Sequence, residues 1–225
     1  MEHYARDHAE PVDNWTCDSA PGLDPQKKTL GATERDEPAR TAYREQVARQ
    51  PADAYVIVDE CGSNTNLTPI YARAPKGERA FGRVPRNTEK NTTLIASMTT
   101  QGMGPALLLE GSTDTAAFEV YVERILAPTL ISGQIVVMDN LSAHKGERIQ
   151  RLIEARGCRV QYLPAYSPDL SPIEEAFSKL KTLLRRAEAR TREALHDAIA
   201  TVLDQITAHD AQGYFTHCGY GVQVQ

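Results

Sequence analysis

The stretch Gln134-Ile135-Val136-Val137-Met138-Asp139 is a continuous apolar run that ends in an aspartate. A short run of this kind, rich in β-branched residues, is typical of a buried strand. Tyr55-Val56-Ile57-Val58-Asp59, much earlier in the chain, has the same pattern. Both stretches therefore predict a buried strand that ends at an acidic residue.

Two further strand-like runs, Thr92–Met98 and Pro105–Leu109, lie between these strands in the sequence. They flank a glycine-containing turn at residues 101–104, and this arrangement predicts a β-hairpin. A fifth run, Arg159–Leu163, follows the strand that ends at Asp139. The chain is therefore predicted to contain five strands, of which the first three are antiparallel and the last two run parallel to the first.

Apolar residues at helical spacing predict helices between and after the strands. The predicted helices cover about residues 115–126, 148–156, 173–184 and 192–206, and residues 27–50 are compatible with a polar helix. An antiparallel opening followed by alternating strands and helices predicts an α/β fold. In such a fold a mixed sheet is covered by helices.

The composition is that of a globular protein of 225 residues and 24.8 kDa, with 41% hydrophobic and 24% charged residues. These values exclude a disordered chain, and no apolar run approaches the ~20 residues of a membrane span. His217 and Cys218 have no companion ligand pair in the sequence, which argues against a zinc site. The scattered cysteines predict free thiols in a reducing compartment. They are Cys17, Cys61, Cys158 and Cys218.

The net charge of −5 is unevenly distributed along the chain. Two segments, Arg73–Lys90 and Lys179–Arg192, carry an excess of lysine and arginine. Basic clusters of this kind contact nucleic-acid phosphates, but they also occur as a solvated loop or helix face. Charge alone leaves both interpretations open.

Asp59 and Asp139 are each predicted at the carboxyl end of a hydrophobic strand, where α/β sheets place their chemistry. If the two strands are neighbours, the carboxylates converge, and their repulsion raises one pKa unless a divalent cation neutralises them. Oxygen ligands suit Mg²⁺ or Mn²⁺. The alternative is that each aspartate only ends a strand and begins a turn.

Glu174 is a third candidate carboxylate, with a structural role of its own. Ser171 at the N-cap, Pro172 at the first helical position and Glu174 at the third fit a capping box. Glu175 points about 100° away around the helix and is not expected to serve the same site. The residues alone leave Glu174 either a helix cap or a functional group.

Five segments of the sequence form a recognisable set of motifs: Val58–Gly62, Ala74–Arg79, Met138–Lys145, Leu163–Glu174 and Phe215–Tyr220. Together they resemble the motifs of the DDE superfamily, and more closely those of the mariner-like transposases of bacterial insertion sequences. The resemblance covers roughly residues 27–220 and implies an RNase H-like sheet with helices on both faces. Carried over position by position, it implies that Asp59, Asp139 and Glu174 are catalytic and hold two Mg²⁺ or Mn²⁺ ions.

The resemblance also implies an activity and partners. The expected chemistry is DNA strand cleavage and strand transfer by in-line displacement at phosphorus, without a covalent enzyme intermediate. The expected partners are transposon ends, target DNA and a second copy of the chain, in the bacterial cytoplasm with the nucleoid and not at a membrane. The candidate DNA-contacting residues are Lys76, Arg79, Arg83, His144, Lys179 and Lys181.

We expect residues 1–50 to be a polar leader, the remnant of a linker to a missing helix-turn-helix region, and residues 51–225 to be the catalytic domain. Two other functions fit the same sequence. One is a truncated, non-catalytic fragment that acts only through dimerisation. The other is an RNase H-like nuclease that acts on structured nucleic acid without transposition.

Overall fold

The sheet of this computed structural model, which describes residues 32–86, 90–140 and 146–221, has five strands in the order β3-β2-β1-β4-β5. β2 pairs antiparallel with both β1 and β3, whereas β1, β4 and β5 run parallel. The predicted mixed sheet is therefore confirmed. The strands are β1 Tyr55–Ser63, β2 Thr92–Thr99, β3 Gly102–Glu110, β4 Ile135–Met138 and β5 Arg159–Tyr162.

Helices cover both faces of this sheet, as predicted. α2 continues into a π-helical turn, Val122–Leu126, and a 3₁₀ turn, Ala127–Thr129. Two more 3₁₀ turns, Ala52–Ala54 and Pro168–Leu170, precede β1 and α4. The helices are α1 Glu37–Ala48, α2 Thr115–Tyr121, α3 Glu147–Glu154, α4 Pro172–Ala187, α5 Arg192–Leu203 and α6 Ala208–His217.

α6 is the helix that the apolar pattern did not predict. Most of its ten residues are polar or small, and only Ala211 and Phe215 are buried. Its beginning is stabilised by a capping box between Thr207 and Asp210. Because its apolar stripe is so narrow, α6 shows little helical periodicity in the sequence. Most of the stability of such a helix comes from tertiary packing.

Side chains of β1 alternate between two cores. Tyr55 and Ile57 pack in the core that α1, α4, α5 and α6 cover. Val56 and Val58 pack in the opposite core, against α2 and α3. Each fully buried aliphatic or aromatic side chain contributes roughly 1.5–3 kcal/mol, so both layers hold the sheet in place.

β1 is longer than the sequence predicts. It does not end at Asp59 but continues to Ser63, because β2 pairs with it as far as Ser63 opposite Thr92. The parallel pairing of β1 with β4 stops earlier, at Ile57 opposite Val137. Asp59 therefore lies inside a strand, yet beyond the last residue that β4 covers.

α1 belongs to the compact unit that begins at Thr33, since Tyr43 and Val47 are buried in the core. The predicted division at residue 50, and the nature of the segment before it, stay predictions. Among the described residues, no helix is both long enough and apolar enough to cross a bilayer. Cys61, Cys158 and Cys218 are buried free thiols, and Cys17 lies outside the described residues.

Candidate active site

Strand alternation sends two of the candidate carboxylates to the same face of the sheet. Ile57 and Cys61 of β1 both belong to the core under α4, and Asp59 lies midway between them. Val137 of β4 belongs to that core as well, and Asp139 follows it by two residues. Because side chains alternate with a period of two, Asp59 and Asp139 both face the side of α4.

The register of the parallel strands brings these aspartates side by side. Ile57 lies opposite Val137, and the same register continued by two residues places Asp59 opposite Asp139. The predicted convergence of two carboxylates therefore follows from the backbone pairing. The turn-forming role proposed for Asp59 is wrong, because the strand continues past it.

Asp59 has the raised pKa expected of a buried carboxyl that lies near other carboxylates. Its Oδ1 accepts a hydrogen bond of 2.8 Å from the Glu60 amide. The pKa of Asp59 is nevertheless raised from 3.8 to about 7, first by burial and then by the negative charges of Glu174, Asp139 and Glu60. Glu174 and Asp139 are therefore both close enough to repel the ionised form.

Glu174 reaches the site from the first turn of α4. Ser171 and Pro172 occupy the N-cap and first helical positions as predicted, but the Ser171 side chain makes no capping hydrogen bond. The Ser171 amide donates to the Pro168 carbonyl at 3.0 Å, so it does not donate to the Glu174 carboxylate. The capping-box interpretation is wrong, and the exposed Glu174 carboxylate remains available for another role.

The three carboxylates line one cavity of about 390 Å³. The loop of residues 163–168, Asn140 and Ser171 complete its wall. Carboxylate oxygens are hard donors, which Mg²⁺ and Mn²⁺ prefer as ligands. A divalent cation would also remove the repulsion between these carboxylates, which contributes to the raised pKa of Asp59. The donor set therefore fits the predicted divalent ions.

Residues 54–196, more than half of the chain, match the sequence model of a family described as DDE superfamily endonuclease. The chain belongs to the DDE superfamily of endonucleases. The match includes the strands and the helix that carry all three carboxylates, so it confirms the family that the motifs indicated.

Solved structures of the Mos1 mariner transposase share the fold of this DDE endonuclease. The Mos1 paired-end complex with the left transposon end has a TM-score of 0.68 at 17% identity, over 88% of this chain and 64% of the Mos1 chain. The Mos1 paired-end complex with Mn has a TM-score of 0.64 at 16% identity, over 88% and 64%. The Mos1 catalytic domain alone has a TM-score of 0.53 at 16% identity, over 84% and 93%.

The DDE endonuclease spans 64% of the Mos1 chain in both paired-end complexes above, and its match to the separate Mos1 catalytic domain covers 93% of that domain. The likeness confirms the predicted RNase H-like sheet. No curated protein matches the chain in sequence.

An ion pair holds the loop that leads to Glu174. Arg40 of α1 has a side chain only 3% exposed, and its guanidinium donates two hydrogen bonds to Asp169, at 3.0 and 2.6 Å. This contact lowers the pKa of the Asp169 carboxyl. Arg35 also donates to Asp169, at 3.1 Å. α1 thus fixes the 3₁₀ turn just before α4 in the DDE endonuclease.

Replacing Asp169 with asparagine should destabilise the protein by roughly 2 kcal/mol, because it removes charge-assisted hydrogen bonds from the nearly buried Arg40. Urea unfolding measures the loss. The matched control is Glu37→Gln, which alters the mostly exposed partner of Arg40 and should cost less than about 0.5 kcal/mol. Equal effects of the two substitutions would contradict the role of Asp169.

The candidate DNA-contacting residues do not share one surface of the fold. Lys76, Arg79 and Arg83 are exposed in the irregular segment between β1 and β2. Lys181 lies beside the Cys61 thiol, on the face of α4 that carries Glu174. Lys179 is on another face, where it pairs with an aspartate of α6 at 2.7 Å. His144 lies outside the described residues.

Sequence reasoning assigned no individual role to several residues that line the cavity or support its wall. Asn140 lines the cavity. Its position directly after Asp139 was the feature of the sequence that could have indicated this. Tyr166 adopts a left-handed backbone with φ of 54° at the cavity wall, an unusual conformation for a residue other than glycine. Asp169 and Arg40 are 129 residues apart, so no local pattern pointed to their contact.

Proposed function

We propose that the chain is the catalytic domain of a transposase that cleaves and transfers DNA strands of an insertion sequence. The observation that carries the proposal is the convergence of Asp59, Asp139 and Glu174 on one cavity in a chain of the DDE superfamily. Phosphoryl transfer of this kind requires positioned carboxylates and no protein nucleophile.

Asp59, Asp139 and Glu174 are the residues that would hold Mg²⁺ or Mn²⁺. Two such ions supply charge neutralisation for the attacking and leaving oxygens of an in-line displacement. The protein's own contribution is orientation. Asp59 is held by the Glu60 amide, and Glu174 is held by a loop that the Arg40–Asp169 pair ties to α1. Pre-positioned ligands of this kind reduce the cost of assembling the site.

The Mos1 structures support DNA as the partner. Mos1 was solved in a paired-end complex with a transposon end and in one with Mn. By analogy we assign to this chain DNA ends and target DNA as substrates, a second copy as its partner, and the bacterial cytoplasm with its nucleoid as its location. The division into a leader of residues 1–50 and a catalytic domain of residues 51–225 belongs to the same proposal.

The test uses a supercoiled plasmid that carries the chain's own coding sequence with flanking genomic DNA. We expect Mg²⁺- or Mn²⁺-dependent breaks that map to repeats on both sides of the coding sequence. Asp139→Asn is the inactive comparison, because it removes a proposed metal ligand. Breaks that are mapped by primer extension identify the cleaved strand.

Two results would overturn the proposal. Breaks scattered without regard to the repeats would identify an RNase H-like nuclease. A folded protein that makes no breaks under any of these conditions, yet lowers the activity of a complete transposase of the same element, would identify a non-catalytic fragment.

Exposed basic residues between β1 and β2 are proposed to contact the DNA backbone. The triple replacement of Lys76, Arg79 and Arg83 by alanine should weaken DNA binding. It should also reduce the slope of log K against log salt by about three units, since each phosphate contact contributes about one. Fluorescence anisotropy over a range of salt concentrations measures the slope.

The matched control removes the same charge from other surfaces. Arg49, Arg124 and Arg151 have side chains that are 75%, 76% and 76% exposed. Their joint replacement by alanine should leave the slope within about one unit of the wild-type value. If both triple variants change the slope equally, the segment is an ordinary solvated surface.

A further inference from the structure

Three side chains of types that can ligate a metal ion lie together where the end of α6 packs near α4. They are Glu175 of α4, His217 at the last position of α6, and Cys218 directly after it. Their ligand atoms all lie within 4.8 Å of one another. The companion ligand that the sequence pattern lacked is thus Glu175, which is 42 residues from His217 and adjacent only in the fold.

The chemistry of this set differs from that of the three carboxylates. A thiol, an imidazole and one carboxylate together are ligands of Zn²⁺, whereas Mg²⁺ and Mn²⁺ prefer oxygen. Zn²⁺ with three protein ligands keeps a fourth position for water. His217 is 77% exposed along its side chain and Cys218 is 4% exposed, so the cluster is open on one side and closed on the other.

We propose that Glu175, His217 and Cys218 form a Zn²⁺ site that joins the end of α6 to α4. The site goes beyond the proposed function and does not depend on it. On binding, Zn²⁺ forms a bond to the Cys218 sulfur, and the displaced thiol proton goes to solvent.

The zinc site is separate from the catalytic cavity. Glu175 follows Glu174, but successive helical residues point about 100° apart. Glu174 lines the cavity with the two aspartates, whereas Glu175 lines a different groove with Lys179 and Tyr214. Lys179 forms an ion pair of 2.7 Å with Asp210, and His217 Nδ1 contacts Glu175.

Metal at this position would strengthen the attachment of the last helix. The Cys218 amide donates to the Tyr214 carbonyl at 3.0 Å, and Tyr220, two residues on, is buried against Phe215. Tyr220 also shares a hydrogen bond of 2.7 Å with Tyr43 of α1. A bond from Cys218 to a metal held by α4 therefore ties this packed end to the helix that carries Glu174.

The test adds Co²⁺, as a spectroscopic substitute for Zn²⁺, to the full purified chain in excess Mg²⁺. Magnesium occupies the oxygen-ligand site and leaves the soft site to cobalt. We expect a thiolate-to-Co²⁺ charge-transfer band that Zn²⁺ abolishes by competition, and a higher melting temperature with Zn²⁺. Asp139→Asn should keep the band, which separates this site from the catalytic one.

His217→Ala should weaken Co²⁺ binding by more than about tenfold, because loss of a ligand costs at least as much as loss of an outer-shell partner. Its matched control is His209→Ala, an exposed histidine of the same helix, which should bind as the wild type does. Cys218→Ser should lose the charge-transfer band. Because His217 is exposed, its variant remains folded even if the cysteine variant does not.

Two outcomes would overturn the proposal. If wild type shows no thiolate band and no stabilisation by Zn²⁺, the contact between Glu175 and His217 is only a surface hydrogen bond. If the band persists in His217→Ala at unchanged affinity, the metal is bound elsewhere.

Discussion

Replacing Glu174 with glutamine should abolish Mg²⁺-dependent DNA cleavage while leaving the melting temperature close to that of wild type. Glutamine lacks the charge that holds a hard divalent ion, so we expect the cleavage rate to fall by at least about a hundredfold. Stability should change little, because the Glu174 side chain caps no amide of Ser171. Plasmid cleavage and thermal unfolding measure the two effects on the same preparation.

Glu193→Gln is the matched control for this variant. Glu193 is an exposed glutamate in the first turn of another helix, α5, so the substitution removes the same charge from a first helical turn. It should leave both cleavage and stability unchanged. Comparable cleavage by wild type and Glu174→Gln would remove Glu174 from the proposed metal site.

Replacing Asp59 with asparagine should stabilise the metal-free protein at pH 8 and abolish its stabilisation by Mg²⁺. The asparagine oxygen can still accept the hydrogen bond from the Glu60 amide, while the buried charge disappears. The gain is at most about 4 kcal/mol, because the folded pKa near 7 exceeds the ordinary 3.8 by about three units. Activity should be lost at the same time.

The sign of the pH dependence follows from proton binding. Below pH 4 the Asp59 carboxyl is protonated in both the folded and the unfolded chain, so it contributes no difference. Between pH 4 and about 7 the unfolded chain releases the proton while the folded chain keeps it, and the stability of wild type falls. Above pH 7 the loss is constant. Urea unfolding at pH 5 and pH 8, with EDTA or with Mg²⁺, measures it.

Asp53→Asn is the control for this second prediction. Asp53 is an exposed aspartate just before β1, and its replacement should change stability by no more than about 0.5 kcal/mol at either pH. If Asp59→Asn is less stable than wild type at pH 8 without metal, the raised pKa of Asp59 in the folded protein is refuted.

The order and type of most elements could be predicted from the sequence. Ile135–Met138 and Tyr55–Val58 are continuous apolar runs, which a strand needs when both of its faces are covered by helices. The amphipathic pattern of α4 likewise predicted a helix. Local chemistry was sufficient there because the positions that these elements bury all carry apolar side chains.

Strand ends and weak helices could not be predicted in this way. β1 extends to Ser63 because β2 pairs with it, and the residues 59–63 show no apolar pattern. α6 has only two buried residues, Ala211 and Phe215, with Tyr214 partly buried against the same core. In both cases the element is stabilised by residues that are distant in the chain. The local sequence pattern therefore does not predict it.

For function, the sequence by itself determined which side chains were available. Asp59, Asp139 and Glu174 were identifiable from their motifs, and so was the choice of metals that prefer oxygen ligands. The tertiary structure decided how they are arranged: the parallel register brings two aspartates together, and Glu174 forms no capping box with Ser171. It also placed Glu175 beside His217 and Cys218. Convergence of residues far apart in the chain depends on sheet register and helix packing, which are properties of the whole fold.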